Sequence, residues 1–328
     1  MNIGILGAGN IAAGMAETIR QMHLRGEDVD LYAVASRDAG KAQAFAARFQ
    51  IHKAYGGYEN MLKDSGLDLV YIATPHSHHY EHMLLCLKYN KAILCEKSFT
   101  ANADQARRIL TLSKLKNVPV TEAIWTRYMP MRKTIKEIID KGMIGEPRTL
   151  TANLSYNIWQ NTRIRTPELA GGALLDVGVY VLNFADMCFG QPGQVQAEAV
   201  IGETGVDESD SITLRYPDGK MAVLVCGTRA ISDRQGIIYG DEGYLVVDNI
   251  NNPLQASVYD LSRHVYKTFD APEQISGLEY EVREIAQALE EGDLECKSMP
   301  HRDTIRIMEL MDNIRMQTGV QFPFEKVY

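Results

Sequence analysis

A glycine-rich segment near the N-terminus constrains the fold of this chain more than any other feature. Gly7-Ala8-Gly9-Asn10-Ile11-Ala12 fits the pattern G-x-G-x-x-A. It follows an apolar run, Ile3–Leu6, that predicts a strand, and it opens residues 11–22, whose apolar spacing predicts a helix. A strand, a glycine turn and a helix in this order form the first part of a Rossmann fold, which binds a dinucleotide.

The small residues of this turn have physical roles in such a site. Gly7 allows the tight turn from strand to helix, and Gly9 lets a pyrophosphate approach the backbone. The helix begins near Asn10 and Ile11, where amides without an intrahelical partner face the phosphates. We therefore predict that these four residues bind the cofactor. A glycine-rich turn in another kind of α/β protein is the alternative.

Strands and helices alternate through the first third of the chain, and Leu69–Ala73 is a clear strand. Such alternation is typical of a parallel sheet covered on both faces. After about residue 122 strand signals dominate, with one helix at Ala173–Phe189. We therefore predict an α/β Rossmann domain over 1–122. An α+β domain with an open, mostly antiparallel sheet is predicted over 123–328.

Composition and charge exclude several classes of function. The net charge is −8 and no Lys/Arg block is present, which argues against a nucleic-acid partner. No uninterrupted apolar run reaches the ~18 residues that span a bilayer, and a negative surface repels anionic lipids, so we predict no membrane association. The five cysteines are scattered and never form a C-x-x-C pair, which predicts free thiols in a cytoplasmic protein.

The end of the second predicted strand determines the choice between NAD and NADP. An NAD site usually has Asp or Glu there, which accepts a hydrogen bond from the ribose 2′-hydroxyl. This chain has Ser36 and Arg37 instead. Arg37 can pair with a 2′-phosphate and stack on the adenine, and Ser36 can donate to the same phosphate. We therefore predict NADP; the alternative is a solvated Arg37 followed by Asp38 as a helix cap.

Two polar clusters follow neighbouring strands of the predicted parallel sheet. The first comprises residues 73–79, and the second comprises residues 95–98. Ligands bind outside the carboxyl ends of such strands, so both clusters face the cofactor crevice. In the second cluster, the Lys97 ammonium can hydrogen-bond a substrate hydroxyl and stabilise the alkoxide that forms as hydride leaves. Glu96 can orient Lys97 or contact the cofactor ribose. The residues that we assign to the cofactor site are Thr74, Pro75, His76, His79, Glu96 and Lys97.

The histidines of the first cluster permit a second interpretation. His78 and His82 are four residues apart on a predicted helix, and two imidazoles at that spacing can share a metal ion. No third ligand of matching character stands nearby in the sequence. We therefore predict no metal site.

A third cluster lies in the second half of the chain. Gly171-Gly172 allows a close backbone approach before a helix that carries Asp176 and Tyr180. These two residues are four apart and share one helix face. We predict that Tyr180, assisted by Lys97, accepts or donates the proton of a substrate hydroxyl, and that Asp176 orients substrate or lysine. A tyrosine packed by its ring is the alternative.

Taken together, these motifs resemble the Gfo/Idh/MocA oxidoreductase family, and within it the branch of dimeric dihydrodiol dehydrogenases and NADP-dependent xylose dehydrogenases. The resemblance covers essentially the whole chain, with several motifs in the family's order. It is carried by residues 7–12, 35–37, 74–79, 96–97, 122–128 and 171–180.

The resemblance implies roles for individual residues. Lys97 corresponds to the family's catalytic lysine, although Ser98 replaces the proline of the Glu-Lys-Pro motif. Tyr180 stands where much of the family has a histidine and where this branch has a tyrosine as acid/base. His79 matches a histidine near the nicotinamide.

The resemblance also implies a substrate site and a partner. Trp125 and Arg127 match a segment that lines the substrate pocket in that branch, so we predict that they bind substrate together with Asp176 and Tyr180. The family's second domain often pairs through its open sheet, which implies a homodimer or a higher homo-oligomer.

The sequence thus predicts an NADP-dependent enzyme that transfers hydride between the nicotinamide and a hydroxyl-bearing carbon of a sugar, sugar derivative or cyclic diol. The prediction requires the Lys97 ammonium and the Tyr180 phenol to converge beside the nicotinamide. A non-catalytic NADP(H)-sensing protein of the same fold is the alternative, which the intact set Lys97, Asp176 and Tyr180 disfavours. An enzyme that keeps its cofactor tightly bound as a recycled hydride carrier is a third possibility.

Overall fold

The computed structural model describes residues 1–325, which form two compact units. The first unit comprises Met1–Trp125 and Gln274–Ile305, and the second comprises Thr126–Glu273 and the chain from Arg306 onward. The sequence analysis placed one boundary at residue 122 and did not include this return of the chain to the first unit. An amphipathic helix fits either unit by its pattern, and only long-range contacts assign it to one.

The first unit is built on a six-stranded parallel sheet in the order β3-β2-β1-β4-β5-β6, which confirms the predicted Rossmann sheet. Its strands are β1 (Asn2–Leu6), β2 (Asp30–Ser36), β3 (Lys53–Gly56), β4 (Leu69–Ile72), β5 (Ala92–Glu96) and β6 (Val120–Ala123). Its helices are α1 (Asn10–Leu24), α2 (Ala39–Phe49), α3 (Tyr58–Leu62), α4 (His76–Lys88), α5 (Ala103–Lys116) and α9 (Glu279–Glu291).

The strand order reverses between β1 and β4. Ile3–Leu6 pairs with Leu69–Ile72 on one side, while β2 pairs with β1 on the other. The carboxyl ends of β1 and β4 therefore lie side by side. In open parallel sheets this is the position where ligands bind.

Two elements of the first unit were not predicted from the sequence. β3 lies at the edge of the sheet, and none of its residues is buried. Because an exposed edge strand needs no apolar run, its sequence carries little periodic signal. The five-residue helix α3 follows directly and is too short to show helical periodicity.

The second unit contains an eight-stranded sheet in the order β14-β13-β12-β11-β7-β10-β9-β8. Only β7 and β10 pair in parallel, so the sheet is mostly antiparallel, as predicted. Its strands are β7 (Pro147–Ser155), β8 (Gln194–Ile201), β9 (Asp207–Arg215), β10 (Met221–Gly227), β11 (Gly236–Gly240), β12 (Gly243–Val247), β13 (Gln255–Asp260) and β14 (Val265–Asp270). The last two strands were not predicted, and β14 is an edge strand without a buried residue.

Helices cover the sheet of the second unit. They are α6 (Pro130–Asp140), α7 (Thr162–Arg165), α8 (Val179–Phe189) and most of α10 (His301–Thr318). The helix predicted at 173–189 forms as a π-helical turn, Leu174–Gly178, that continues into α8. The segment Pro167–Phe189 is long and apolar enough to span a bilayer, but 83% of its most apolar window is buried inside the protein. It is the core helix of this unit.

A buried carboxylate joins three segments within the second unit. Asp186 on α8 accepts hydrogen bonds from Arg306 Nε (2.7 Å) and Nη2 (2.8 Å) and from Arg127 Nη2 (2.5 Å). Arg127 Nε also donates to Asn183 Oδ1 at 2.7 Å. Burial alone would raise the pKa of Asp186, but its Arg306 and Arg127 partners bring that pKa below its ordinary value. Arg127 and Arg306 lie just after two points where the chain enters this unit.

We expect Asp186→Ala to lower the free energy of unfolding by about 3–5 kcal/mol, because it leaves the buried Arg127 guanidinium without its counter-charge. Urea denaturation measures this loss. Asp140→Ala is the matched control, since that exposed carboxylate pairs with Lys136 one helical turn away and contributes about 0.5 kcal/mol or less. Equal losses in the two variants would contradict a stabilising role for the buried cluster.

Candidate functional site

The glycine turn after β1 has the geometry that a pyrophosphate requires. Gly7 has a φ of +114°, and a Cβ there would lie 2.8 Å from the carbonyl oxygen of Ala73, so the turn accepts only glycine. Gly9 precedes the first residue of α1, and no described protein atom lies within 4 Å of a Cβ built on it. No side chain caps this helix, and its first turn contains no acidic residue. The amides at the start of α1, including those of Asn10 and Ile11, therefore fit a bound phosphate.

The end of β2 has the residues expected of the adenosine side of the site. The strand ends at Ser36, and Arg37 follows with an exposed side chain. Asp38 caps α2, because its Oδ1 accepts from the amide of Lys41 at 3.1 Å. One oxygen of the carboxylate next to Arg37 is thus used by the protein itself as a helix cap.

A side chain that the sequence analysis missed lies beside Arg37. It is the phenol of Tyr58, the first residue of the unpredicted helix α3, whose pKa is raised by burial and lowered in part by the charge of Arg37. The Tyr58 ring packs edge-on against His82, with 4.7 Å between ring centroids, and His82 Nδ1 lies 2.9 Å from Thr74 Oγ1. These contacts connect the end of β2 to the loop after β4. Burial lowers the pKa of His82 to about 4, and the positive charges nearby add to the shift.

His79 joins the two loops that leave β4 and β5. Its Nδ1 lies 2.9 Å from the carbonyl oxygen of Ser98, and its Nε2 lies 2.8 Å from that of Thr74. Burial lowers its pKa to about 4, so the ring is neutral near pH 7 and one nitrogen at a time carries the donated proton. His79 and the nearby His76 are both buried. His79 was predicted to bind the cofactor. In the structure its ring holds these two loops together.

The histidines after β4 lie close together in pairs. The rings of His78 and His82 lie 5.8 Å apart between centroids, and those of His76 and His79 do likewise. Within residues 1–325, no group of three His, Cys, Asp or Glu side chains is placed to hold an ion.

Glu96 fixes the backbone that carries Lys97. Its Oε1 accepts from the Tyr71 hydroxyl, and its Oε2 accepts from the Lys97 amide at 3.2 Å. The Glu96 side chain is buried, as is the side chain of Ser98 after the lysine. Behind it lies Glu281 of α9, whose pKa is raised well above its ordinary value by burial and by the charge of Glu96. Sequence reasoning assigned Glu96 an orienting role but had no signal for Glu281, which is 185 residues away.

The Gly171-Gly172 turn of the second unit supports Asp176 and Tyr180. A Cβ on Gly171 would lie 2.2 Å from the carbonyl oxygen of Ile164, and the amide of Gly172 donates to that oxygen at 2.7 Å. Asp176 lies in the π-helical turn and is nearly buried, and Tyr180 follows in the first turn of α8.

Asp176 has a cationic partner inside the second unit. Arg163 of α7 approaches it, with 2.9 Å between Arg163 Nη2 and Asp176 Oδ1. Arg163 is about one-third exposed, whereas Asp176 is 6% exposed. This pair fixes the position of the Asp176 carboxylate. The sequence analysis did not predict the contact.

The two residues predicted to line the substrate pocket have different surroundings. Arg127 is 2% exposed, and its guanidinium is held by Asp186 and Asn183. Its assignment to the substrate pocket stays a prediction. Trp125 begins the 3₁₀ turn Trp125–Arg127 after β6 and is half-buried. Its role in substrate binding stays a prediction.

Both halves of the chain match models of known protein families. A family model described as an oxidoreductase family with an NAD-binding Rossmann fold matches residues 1–124. A second model, described as the GFO/IDH/MocA C-terminal domain, matches residues 133–246.

Curated relatives match over nearly the full length. The trans-1,2-dihydrobenzene-1,2-diol dehydrogenase of Mus musculus is 32% identical over 333 residues, covering 98% of each chain. The protein of the same name from Xenopus tropicalis is 33% identical over 331 residues, again covering 98% of each chain.

Solved structures share the fold. A 3-ketoreductase from Actinomadura kijaniata, in complex with NADP and TDP-benzene, has a TM-score of 0.87 at 24% identity, covering 97% of this chain and 98% of its own. An aldose-aldose oxidoreductase from Caulobacter crescentus, complexed with glycerol, has a TM-score of 0.86 at 19% identity, covering 97% of each chain. At these identities the likeness establishes the fold alone.

The buried imidazole of His79 predicts a pH dependence of stability. Its pKa is about 4 in the folded protein and about 6.5 in an unfolded chain, so as pH falls below 6.5 the unfolded state binds the proton first. Stability should therefore fall between pH 6.5 and pH 4, by on the order of 3 kcal/mol for this group. His79→Asn keeps a donor and does not titrate, so its unfolding free energy should fall less over that interval.

Urea denaturation at pH 7, 5.5 and 4 checks this expectation. His52→Asn, at an exposed position, is the control and should follow the wild-type curve. Parallel curves for wild type and His79→Asn would contradict the assignment of a neutral bridging imidazole.

Proposed function

This chain belongs to the Gfo/Idh/MocA oxidoreductase family, and from that membership we propose an NADP-dependent dehydrogenase or reductase acting on CH–OH groups. Its substrate is a sugar, a sugar derivative or a cyclic diol. The observation that carries the proposal is the full-length similarity to dehydrogenases of trans-1,2-dihydrobenzene-1,2-diol, which spans both units of the chain. The physiological partner is thus a small polyhydroxylated molecule.

The preference for NADP rests on the charge at the end of β2. Arg37 is exposed there, and Ser36 stands beside it as a hydroxyl donor. The adjacent carboxylate, Asp38, is committed to the α2 cap. A guanidinium with a neighbouring hydroxyl suits a 2′-phosphate, whereas an NAD site needs a free carboxylate acceptor.

The proton chemistry is assigned to side chains of both units. The bound nicotinamide supplies the hydride acceptor or donor. During oxidation, the Tyr180 phenolate accepts the proton of the substrate hydroxyl, and the Lys97 ammonium stabilises the developing negative charge on that oxygen. Asp176, held by Arg163, orients substrate hydroxyls as a hydrogen-bond acceptor. Reduction runs these proton transfers in reverse.

A homodimer through the open sheet is part of the proposal. Met221, Tyr239, Tyr244 and Tyr259 form one row across the sheet of the second unit, all on the same face. The rings of Tyr244 and Tyr259 stack at 4.7 Å. Thr149 of β7 stands between Met221 and Tyr239 in this row, and Met221 and Tyr239 are both exposed. Exposed tyrosine and methionine side chains on one sheet face are typical of a protein–protein interface. We also propose a cytoplasmic location, which the five free thiols favour.

We expect Arg37→Ala to raise the KM for NADP about 10- to 100-fold and to leave the KM for NAD nearly unchanged, because the substitution removes the charge that pairs with the 2′-phosphate. Initial-rate kinetics with each cofactor measure the change. Arg25→Ala, an exposed arginine after α1, is the control. A preference for NAD that survives the Arg37 substitution would contradict the NADP assignment.

We expect Lys97→Met and Tyr180→Phe each to slow single-turnover hydride transfer about 10²- to 10⁴-fold, the usual contribution of a general acid or base. A screen of aldoses, anhydrosugars, inositols and aromatic dihydrodiols, followed by NADPH absorbance, first identifies a substrate. Tyr266→Phe and Lys116→Met, at exposed sites, are the matched controls. Near-normal hydride transfer in both active-site variants would show that the roles of Lys97 and Tyr180 are misassigned. A wild type that turns over none of these substrates would instead favour an NADP(H)-sensing protein.

A further inference from the structure

Two aspartates of β9 are buried under the turn that begins the π-helical segment. Asp207 is 1% exposed and Asp210 is 2% exposed. The Asp207 Oδ2 accepts from the amide of Leu174 at 2.5 Å, and the amide of Ala173 also donates to this carboxylate. Asp207 therefore binds the first amides of the helical segment, where a negative charge is favoured.

The Gly171-Gly172 turn is shaped around the Asp207 carboxylate. Gly172 has a φ of +108°, and a Cβ on it would lie 2.2 Å from Asp207 Oδ1. The amide of Gly172 donates in turn to the carbonyl oxygen of Ile164, and Gly171 donates to that of Thr166 at 3.2 Å. The position of the carboxylate thus sets the position of the turn and of the α7 backbone bonded to it.

The two aspartates compete for ionisation. Asp210 Oδ1 is buried without an N–H or O–H donor among residues 1–325, and the charge of Asp207 acts on this carboxyl. Two buried carboxyl groups that interact in this way are not both ionised, so a proton on one can be donated to the other. Burial raises both pKa values, and the charge of Asp207 raises that of Asp210 further. The amides of Leu174 and Ala173 favour the ionised form of Asp207, so the proton resides on Asp210. The other titratable group that contacts the pair is the thiol of Cys226 on β10, with its Sγ 3.3 Å from Asp210 Oδ2.

Both proposed functional side chains of this unit depend on the same anchor. Asp176 lies two residues after Leu174, and Tyr180 lies six residues after it, on the continuous helical segment. Arg163, which pairs with Asp176, belongs to the α7 backbone that the Gly171-Gly172 turn holds. The anchor therefore acts on both members of the Arg163–Asp176 pair.

We propose that Asp207 and Asp210, joined by a shared proton, are positioning residues that set the placement of Asp176 and Tyr180 for proton transfer. The statement about catalysis rests on the proposed function, whereas the shared proton does not. Neither aspartate touches substrate or cofactor in this scheme. Asp210 donates its proton to Asp207, and Asp207 holds the turn.

Replacing each aspartate with asparagine, which is nearly the same size, separates the roles of Asp207 and Asp210. Asp210→Asn keeps a hydrogen-bond donor toward Asp207, so we expect kcat to stay within about 3-fold of wild type. Asp207→Asn removes the charge that holds the amides of Ala173 and Leu174, so we expect kcat to fall about 10- to 100-fold, the usual cost of a misplacement near 1 Å. The KM for NADPH should not change in either variant, since the cofactor residues are in the first unit.

A readout without turnover tests the shared proton. At neutral pH the infrared difference spectrum of wild type minus Asp210→Asn should contain the carbonyl band of a buried protonated carboxylic acid, because the buried Glu281 carboxyl contributes equally to both proteins and cancels. If Asp207→Asn does not fold, Asp207→Glu, which keeps the charge but displaces it, should lower kcat while retaining the band.

The outcomes distinguish this inference from the proposed function. A wild type without dehydrogenase activity but with the infrared band would overturn the enzyme and leave the acid pair intact. An active enzyme in which Asp207→Asn keeps the wild-type kcat, or in which Asp210→Asn loses as much as Asp207→Asn, would overturn the positioning role. Absence of the band from the difference spectrum would overturn the shared proton.

Discussion

The reversal of strand order between β1 and β4 is the constraint on which the cofactor half of the site depends. Because these strands are adjacent and parallel, the glycine turn after β1 and the Thr74 loop after β4 emerge at the same place. Gly7 is the point of contact, since only hydrogen on its Cα leaves room for the carbonyl of Ala73. The neighbouring β5 adds the Lys97 loop, and His79 joins that loop to Thr74. Three loops are thus held together by backbone geometry and one imidazole.

Buried carboxyl groups are stabilised in two different ways in this protein. Asp186 stays ionised because two arginines surround it. Asp207 and Asp210 instead form a pair of acids, in which one carboxyl is ionised and the pKa of the other is raised well above its ordinary value. Burying charge is costly, so protonation of one member costs less free energy than ionisation of both. This pair lies beneath the helical segment that carries Asp176 and Tyr180.

The sequence predicted those features whose chemistry is local. The Gly7–Gly9 turn, the Ser36-Arg37 pair and the Lys97 loop were found because an apolar strand fixes where the following residues emerge. The sequence also indicated Asp38 as a helix cap, and the structure contains that cap next to Arg37. Family resemblance then gave the roles of Tyr180 and Trp125, which spacing alone does not provide.

Features that depend on distant residues were not visible in the sequence. Tyr58 beside Arg37, Arg163 beside Asp176 and Asp207 beneath Leu174 are contacts that no local pattern encodes. Arg127 was assigned to substrate because its neighbours match a pocket segment, and its contact with Asp186 emerged only from the fold. Edge strands such as β14 lacked a signal because none of their residues needs to be apolar.

The return of residues 274–305 to the first unit has a consequence for biosynthesis. Val120 lies on β6, the edge of the parallel sheet, where its amide donates to Leu294 and its carbonyl accepts from His301. Both partners are translated some 175 residues later, which takes roughly 10–35 s at ordinary ribosome speeds. Throughout that interval the nascent Rossmann sheet has an open edge that can pair with other chains. Until residues 294 and 301 have been synthesised, the hydrogen-bonding groups of Val120 are therefore left uncovered at this edge.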